Sequence, residues 1–401
     1  MGALRTVILV ILGISSLTFI ALFGRLPAFR KTPIAFLYRL LWVYTPNSIA
    51  FVDSRLLDGH LTRIWNRSGR YILRENHPLV LIFFVGLLAI GEYFFLPTAW
   101  PRMSMVHKYL ALGLVTIPYV LIYKCVVTKS FITSQNHEEE MKRYPYDCAI
   151  FYPGHRCRTC QFLKPARSKH CNICRACISR HDHHCVWLMN CVGAHNYVYF
   201  LSLLLSLSFL LTYGTWLGHS LLSQTLQEIV PPEYQAAMKG WSMYFNIWAI
   251  VITADAKIGT VTLLMLMTAP LAVAFLTYHT YLIWAGMTTN ESSKWSGWKC
   301  DVEDDMAFKA ERSQIPGASR NVDLADQPWP VVSDQILGYI MDVDSNDIYY
   351  PGSDHREPDS HRDIPNSPWK LTSMADIENI YDLGFWNNLR DSVGLSVRQK
   401  P

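Results

Sequence analysis

Five stretches of this chain are long and apolar enough to call for a lipid solvent. They run over residues 6–23, 78–96, 109–127, 197–217 and 259–285. A helix needs about 20 apolar residues to cross a hydrocarbon core of about 30 Å. Lipid offers the backbone no hydrogen-bond partners, so a spanning segment must satisfy its own N–H and C=O groups. Runs of this length suit helices. The expected fold is a polytopic α-helical membrane protein with about five transmembrane helices and a small cysteine-rich domain inserted between spans. Composition agrees, with half of the 401 residues apolar and 17% charged. Pro118 and Pro270 fall inside spans, where neighbouring helices tolerate a kink. Residues 241–253 are apolar but short, and Asp255 and Lys257 follow closely. This segment reads as an interfacial helix, with an extension of the last span as the other option.

The loops set the orientation. Residues 24–77 hold nine Lys/Arg, against two in 97–108. Residues 128–196 are strongly basic, whereas 218–258 hold only Lys239 and Lys257. The positive-inside rule puts 24–77, 128–196 and 286–401 in the cytoplasm and the N-terminus in the lumen. The expected organisation is an N-terminal membrane region 1–127 containing the cytosolic loop 24–77, then a cytosolic cysteine-rich domain 128–196. A C-terminal membrane region 197–285 and a cytosolic region 286–401 follow. The first apolar run also has the length of a signal peptide, but Arg25 follows it and no small-residue cleavage site stands out. Gly2 fits a loose myristoylation pattern, which a lumenal N-terminus would leave unused.

Seven of the ten cysteines lie within residues 157–191. Such density, interleaved with His in a cytosolic segment where thiols stay reduced, points to metal rather than disulfides. Cys157-x2-Cys160 and Cys171-x2-Cys174 each bring two thiolates to one tetrahedral zinc, and Cys177, Cys185 and Cys191 follow. Two zincs need eight ligands. Six Cys with two His make two Cys3His sites and leave one thiol free, whereas seven Cys need a single His. Spacing does not choose between these, nor among His155, His170, His181, His183, His184 and His195. Metal would supply the folding energy of a segment with so few aliphatic residues.

Asp182-His183-His184-Cys185 sets a carboxylate, imidazoles and a thiol within four residues. A neighbouring base promotes the thiolate, and a carboxylate can hold that base in one orientation. The same four residues also fit two zinc ligands and a cap.

The segment from Cys157 to Phe200 resembles the DHHC cysteine-rich domain of protein palmitoyltransferases. The match comprises Cys157, Cys160, Lys164-Pro165, Arg167, His170-Cys171, Cys174, Cys177, Asp182-His183-His184-Cys185, Cys191, Asn196 and Phe200. Thr288-Thr289-Asn290-Glu291 resembles the family's TTxE motif, and residues 379–388 its C-terminal aromatic motif. The resemblance implies one structural Zn2+ on Cys157, Cys160, His170 and Cys177, and a second on Cys171, Cys174, His184 and Cys191. It implies Cys185 as nucleophile, His183 as base and Asp182 as its orienting carboxylate, with Thr288, Thr289 and Glu291 in support. The implied activity is transfer of a palmitoyl group from palmitoyl-CoA, through a Cys185 acyl-enzyme, to cysteines of membrane proteins. The extra first span resembles a fungal branch that acts on juxtamembrane cysteines of proteins such as SNAREs at the endoplasmic reticulum. Val186 stands where many members have Pro, no DPG motif is evident in 128–150, and residues 301–369 look like a polar, Pro-rich, loosely ordered insertion.

Seven Lys/Arg lie between Arg156 and Cys191. Most read as attraction to anionic headgroups and compensation of zinc-thiolate charge, with Arg167 and Lys169 the better candidates for CoA phosphates. Cys148 and Cys300 are candidates for being acylated themselves. The rival reading is a catalytically inert, membrane-anchored zinc scaffold. A zinc-pair ubiquitin ligase is disfavoured by the short spacing. Nucleic acid is disfavoured by the tether between spans and the net charge of only +4.

Overall fold

The structure, a computed structural model, describes residues 13, 16–21, 23–24, 29–74, 78–236, 240–315, 329–340, 348–349 and 367–396. The expected first span, 6–23, lies largely outside the described residues. The chain enters as α1 (Pro33–Arg39), passes a π-turn at Leu40–Tyr44, and continues as α2 (Thr45–Leu56) and α3 (His60–Arg74). Two long apolar helices follow, α4 (Leu79–Ala99) and α5 (Met105–Val127). The cysteine-rich stretch holds β1 (Phe131–Ile132), α6 (His137–Arg143), β2 (Lys169–Cys171), β3 (Ala176–Ile178), β4 (His183–Cys185) and β5 (Asn190–Val192). Then come α7 (Tyr197–Ile229), α8 (Pro232–Ala236), α9 (Trp241–Ala254) and α10 (Ala256–Trp284). The C-terminal part contains α11 (Thr289–Glu303), β6 (Ala307–Glu311), β7 (Gln335–Ile340), β8 (Ile348–Tyr349), β9 (Lys370–Leu371) and α12 (Phe385–Ser392).

Four helical stretches among the described residues are long and apolar enough to cross a membrane: Leu79–Arg102, Met105–Val127, Tyr197–Ile229 and Ala256–Trp284. They cover the four expected spans that fall on described residues, and the third is the most extended. Leu221, Leu222 and Leu226 continue its core-facing side beyond residue 217, so the helix does not stop where the strongest apolar run does. Pro118 and Pro270 sit inside helices that continue through them. Helix α9 ends at Asp255 and is therefore no extension of the last span.

The chain forms two compact units, Met1–Ile122 with Ser202–Thr277, and Tyr123–Leu201 with Tyr278–Pro401. In the first, Phe95, Ala99, Leu217, Leu221, Ile247 and Val251 share one buried cluster. Arg102 ties its polar end together, with Asp255 at 2.7 Å and the Thr225 hydroxyl at 2.9 Å. An apolar cavity of about 220 Å³ lies among α4, α5, α7 and α10, bordered by Leu87, Gly91, Leu211, Gly214 and Met265. Glu92 also borders it and accepts a hydrogen bond from the Tyr119 hydroxyl at 2.8 Å.

In the second unit two small sheets carry the cysteines. One has the order β1-β3-β2, and the other is the β4-β5 hairpin. The part of 301–369 that is described is not structureless. Strands β6 to β9 form an antiparallel sheet in the order β8-β7-β6-β9, five register pairs long between β6 and β7. Its inner side buries Phe308, Ala310, Ile336, Ile348 and Trp369 with Cys148 and Tyr152. Each fully buried large side chain contributes about 1.5–3 kcal/mol, which is enough to fix strands that sequence polarity alone would leave as loop.

Candidate active site

Strand geometry sorts the cysteine-rich residues. Successive side chains of a strand point to opposite faces, so His170 and Cys171 of β2 must serve different clusters, and so must His184 and its neighbours in β4. Register completes the sorting. His170 pairs across the ladder with Cys177, and His184 with Cys191. The ligand atoms of Cys157, Cys160, His170 and Cys177 lie within 4.8 Å of one another, as do those of Cys171, Cys174, His184 and Cys191. His170 Nδ1 stands 3.4–3.8 Å from its three sulfurs, and His184 Nδ1 3.4–3.7 Å from its own. The edges of a tetrahedron built on ordinary Zn–S and Zn–N bonds are about 3.6–3.8 Å. Both clusters therefore fit zinc. In each C-x2-C turn the second Cys donates its N–H to the first sulfur, at 3.3 Å for Cys160 and 3.4 Å for Cys174. Gln161 and Arg175, one residue on, take left-handed backbone angles that close the turn.

The same alternation puts His183 and Cys185 together on the face of β4 opposite His184. The Asp182 carboxylate receives His183 Nδ1 at 2.6 Å, and the Thr289 N–H and hydroxyl, both at 2.9 Å. With Nδ1 committed to Asp182, Nε2 is the nitrogen left to face the Cys185 thiol on the same side of β4. Burial alone would raise the Asp182 carboxyl, but His183 and the Thr289 N–H outweigh it and hold it well below the usual carboxylate range. Burial likewise opposes protonation of His183, yet Asp182 and Cys185 push it up to about 10. Phe200 meets the His183 ring edge-on at 5.3 Å, and His279 lies 6.1 Å away.

Thr288 caps α11. Its hydroxyl accepts the Glu291 N–H at 3.2 Å, while Glu291 accepts the Thr288 N–H at 2.9 Å. Glu291 has a second task. It grips Arg167 in a fork, at 2.7 Å from Nε and 2.6 Å from Nη2. The Arg167 guanidinium lies against the rings of Tyr144 and Tyr381, at 4.9 and 4.4 Å, in the corner these two near-perpendicular rings make. Asp391 of α12 adds contacts to Arg167 at 3.4 Å and Arg180 at 3.3 Å. Both cations are buried, so the expectation that Arg167 meets CoA phosphates is overturned. Its charge is consumed internally.

One family and three relatives bear on this geometry. The family described as DHHC palmitoyltransferase matches residues 150–296. The palmitoyltransferase swf1 of Emericella nidulans is 55% identical, covering 97% of this chain and 96% of that protein. Those of Neurospora crassa and Schizosaccharomyces pombe are 41% and 32% identical, covering 98% and 93% of this chain and 92% of each relative. The chain belongs to the DHHC palmitoyltransferase family. With four helices of spanning length, this member of the family is an integral membrane protein.

Of the histidines left open by spacing, the two clusters take His170 and His184. His155, His181 and His195 belong to neither. His195 Nε2 is 3.0 Å from Glu140, which also accepts from the Ser179 hydroxyl. Burial holds His181 down to about 4. Cys148 is buried against the C-terminal sheet, which removes it as an acylation target, whereas Cys300 is exposed on α11. The C-terminal motif docks through Tyr381, whose hydroxyl donates to the Pro145 carbonyl at 2.7 Å, and through Asn379 and Asn388 to the carbonyls of Ala285 and Trp284. Sequence reasoning did not single out Asn190, His279 or Asp391. Asn190 lies opposite Cys185 in the hairpin and donates to the carbonyls of Cys125 and Thr128. The Tyr197 hydroxyl meets His279 Nδ1 at 3.1 Å. The ladder register and its two carbonyl bonds mark Asn190, and the ring contacts and the Tyr197 bond mark His279.

Proposed function

We propose that this protein transfers a palmitoyl group from palmitoyl-CoA to cysteines of membrane proteins in two covalent steps. His183 takes the Cys185 proton and the thiolate attacks the thioester carbonyl. The C–S bond to CoA breaks, CoA leaves as its thiol, and Cys185 carries the acyl group. A substrate cysteine then attacks the new thioester and regenerates the Cys185 thiol. General-base help of this kind is worth about 10²–10⁴ in rate. Asp182 holds the His183 ring, and Thr289 holds Asp182. The observation that carries this reading is the shared face of His183 and Cys185 in β4, with Asp182 2.6 Å behind the imidazole.

Two Zn2+ ions are structural in this reading, held by Cys157, Cys160, His170 and Cys177, and by Cys171, Cys174, His184 and Cys191. With four protein ligands each, they supply folding energy rather than Lewis acidity. For the donor's phosphates, a pocket of about 690 Å³ in the second unit offers Lys164, Lys169, Lys294 and Asn290. Burial lowers the Lys294 ammonium to about 8, and the Asn290 amide nitrogen is buried without a partner. Both would gain from an anionic ligand.

The excess of Lys/Arg in 24–77 and 128–196 supports a cytosolic catalytic face. The finer reading, juxtamembrane cysteines of proteins such as SNAREs at the endoplasmic reticulum, rests on the resemblance to that fungal branch. The test is detergent-purified protein with a clickable palmitoyl-CoA analogue. A hydroxylamine-sensitive label on wild type, lost in Cys185→Ser while bound zinc is unchanged, is the expected result. Equal label on Cys185→Ser would move the acyl group elsewhere. No label on either would favour the inert zinc scaffold.

A further inference from the structure

The segment between the first two apolar runs reads from sequence as a cytosolic loop, yet residues 29–74 are largely helical. Its last helix, α3, is sharply two-faced. At 100° per residue Leu61, Ile64 and Trp65 fall on one stripe, at the i, i+3, i+4 spacing of an apolar face. In the sequence Arg63, Arg67, Arg70 and Arg74 recur at i, i+4, i+7 and i+11, the repeat of a different face, and residues 60–74 contain no acid. The apolar stripe is bare. Leu61, Ile64 and Trp65 keep 53%, 51% and 79% of their surface.

The position of α3 is fixed at both ends. At its start the Asp53 carboxylate of α2 accepts the N–H groups of Leu61 at 3.1 Å and Thr62 at 2.7 Å. Arg63 binds the carbonyls of Asp58 at 2.9 Å and Gly59 at 3.3 Å. At its end, residues 75–78 alone join Arg74 to Leu79, where the first described spanning helix begins. The five Cα–Cα steps from Arg74 to Leu79 reach at most about 18 Å. The C-terminal end of α3 is therefore held within that distance of the start of the spanning helix, on a helix whose apolar stripe is bare at Leu61, Ile64 and Trp65.

We propose that α3 lies in the plane of the membrane interface, with its apolar stripe among the acyl chains and its arginine row on anionic phospholipid headgroups. A bare apolar stripe beside water is costly, and each basic side chain near an anionic surface gains about 1 kcal/mol, close to a fivefold factor in occupancy. The row carries no acid to pair it internally. The chemistry that completes it is a phosphate-rich, negatively charged lipid surface.

The test is hydrogen exchange of the full chain in nanodiscs, one set of phosphatidylcholine alone and one with about 30 mol% phosphatidylserine. With the anionic lipid, amides of residues 60–74 exchange at least about fivefold more slowly, and about 1 M salt removes the difference. Arg67→Glu removes it as well, while protection within α4 stays as in wild type. Equal exchange of 60–74 in the two discs overturns the proposal. So does protection that rises with protein concentration and ignores lipid charge, since that assigns the face to a second copy. If Arg67→Glu also loosens α4, the lipid and salt response of the wild type decides alone.

Discussion

Asp182 and Thr289 are joined twice, through the Thr289 N–H to Oδ1 and the Thr289 hydroxyl to Oδ2, each at 2.9 Å. Residues 107 positions apart thus aim the carboxylate at His183 Nδ1. Asp182→Asn keeps the shape but offers its NH₂ or a weaker acceptor to Nδ1, so the imidazole is no longer held in the tautomer that leaves Nε2 free for the thiol. We expect acyl-enzyme formation to fall by about 10²–10⁴ with bound zinc unchanged. Rapid-quench labelling with palmitoyl-CoA and metal analysis of the same sample check this. A rate within threefold of wild type, on the order of RT in free energy, would remove Asp182 from the machinery.

His183→Ala makes a pH prediction. In the wild type, Asp182 and Cys185 push His183 up to about 10 against the effect of burial. A folded value raised above the unfolded one, near 6.5, means stability fully present below about pH 6.5 and lost as pH climbs through about 10. Between pH 6.5 and 9 the wild-type dyad keeps its proton, and labelling should be nearly flat. Without the imidazole, Cys185 has no base to take its proton. Labelling of His183→Ala should therefore be deeply depressed at pH 6.5 and rise with pH as hydroxide takes over that task, about tenfold per pH unit. Parallel pH profiles for the two proteins would contradict the base assignment.

Arg167 and Glu291 are each 1% exposed. Removing one partner strands the other charge in a dry site, at a cost of about 3–5 kcal/mol. Glu291→Ala should lower the unfolding midpoint clearly, and Glu291→Gln less, since an amide still accepts from the guanidinium. The paired change Arg167→Met with Glu291→Leu should recover most of the loss, because no uncompensated ion remains. Thermal unfolding in one detergent compares all four. A loss no greater for Glu291→Ala than for Glu291→Gln would mean that water reaches Arg167.

These residues mark where sequence reading reached and where it stopped. The spans were legible because lipid demands long apolar runs, a one-dimensional signal. The cysteine spacing was legible as metal chemistry for a similar reason, since a C-x2-C turn is local. Spacing left the division of ligands between clusters open, because it depends on strand alternation and on pairs such as His170 with Cys177; the family resemblance supplied it, and the two clusters agree. Arg167 looked like a surface cation because its partner Glu291 lies 124 residues on. The C-terminal sheet was missed because its strands are two to six residues long and widely separated in the chain. The amphipathic repeat of α3 was present in the sequence from the start, but hidden under the label of a loop.

Zinc removal should separate the two clusters. Cys157→Ser and Cys191→Ser each break one tetrahedral set, so each should drop bound metal from about two per chain to about one. Their consequences differ because of where β4 lies. The second cluster includes His184, which sits between His183 and Cys185 and pairs with Cys191 across the β4–β5 ladder. Losing Cys191 frees the strand that carries the dyad, and acyl-enzyme formation should vanish with it. The first cluster anchors β2 through His170, yet β2 also carries Cys171 of the second set, so Cys157→Ser should loosen the neighbouring site and slow labelling without abolishing it. A strong chelator removes both ions, and the folding energy they supply goes with them. Hydrogen exchange should then show residues 157–192 opening together while α4 keeps its protection. If Cys191→Ser retained two zincs, or labelled at the wild-type rate, the link between that cluster and the Cys185 strand would be wrong.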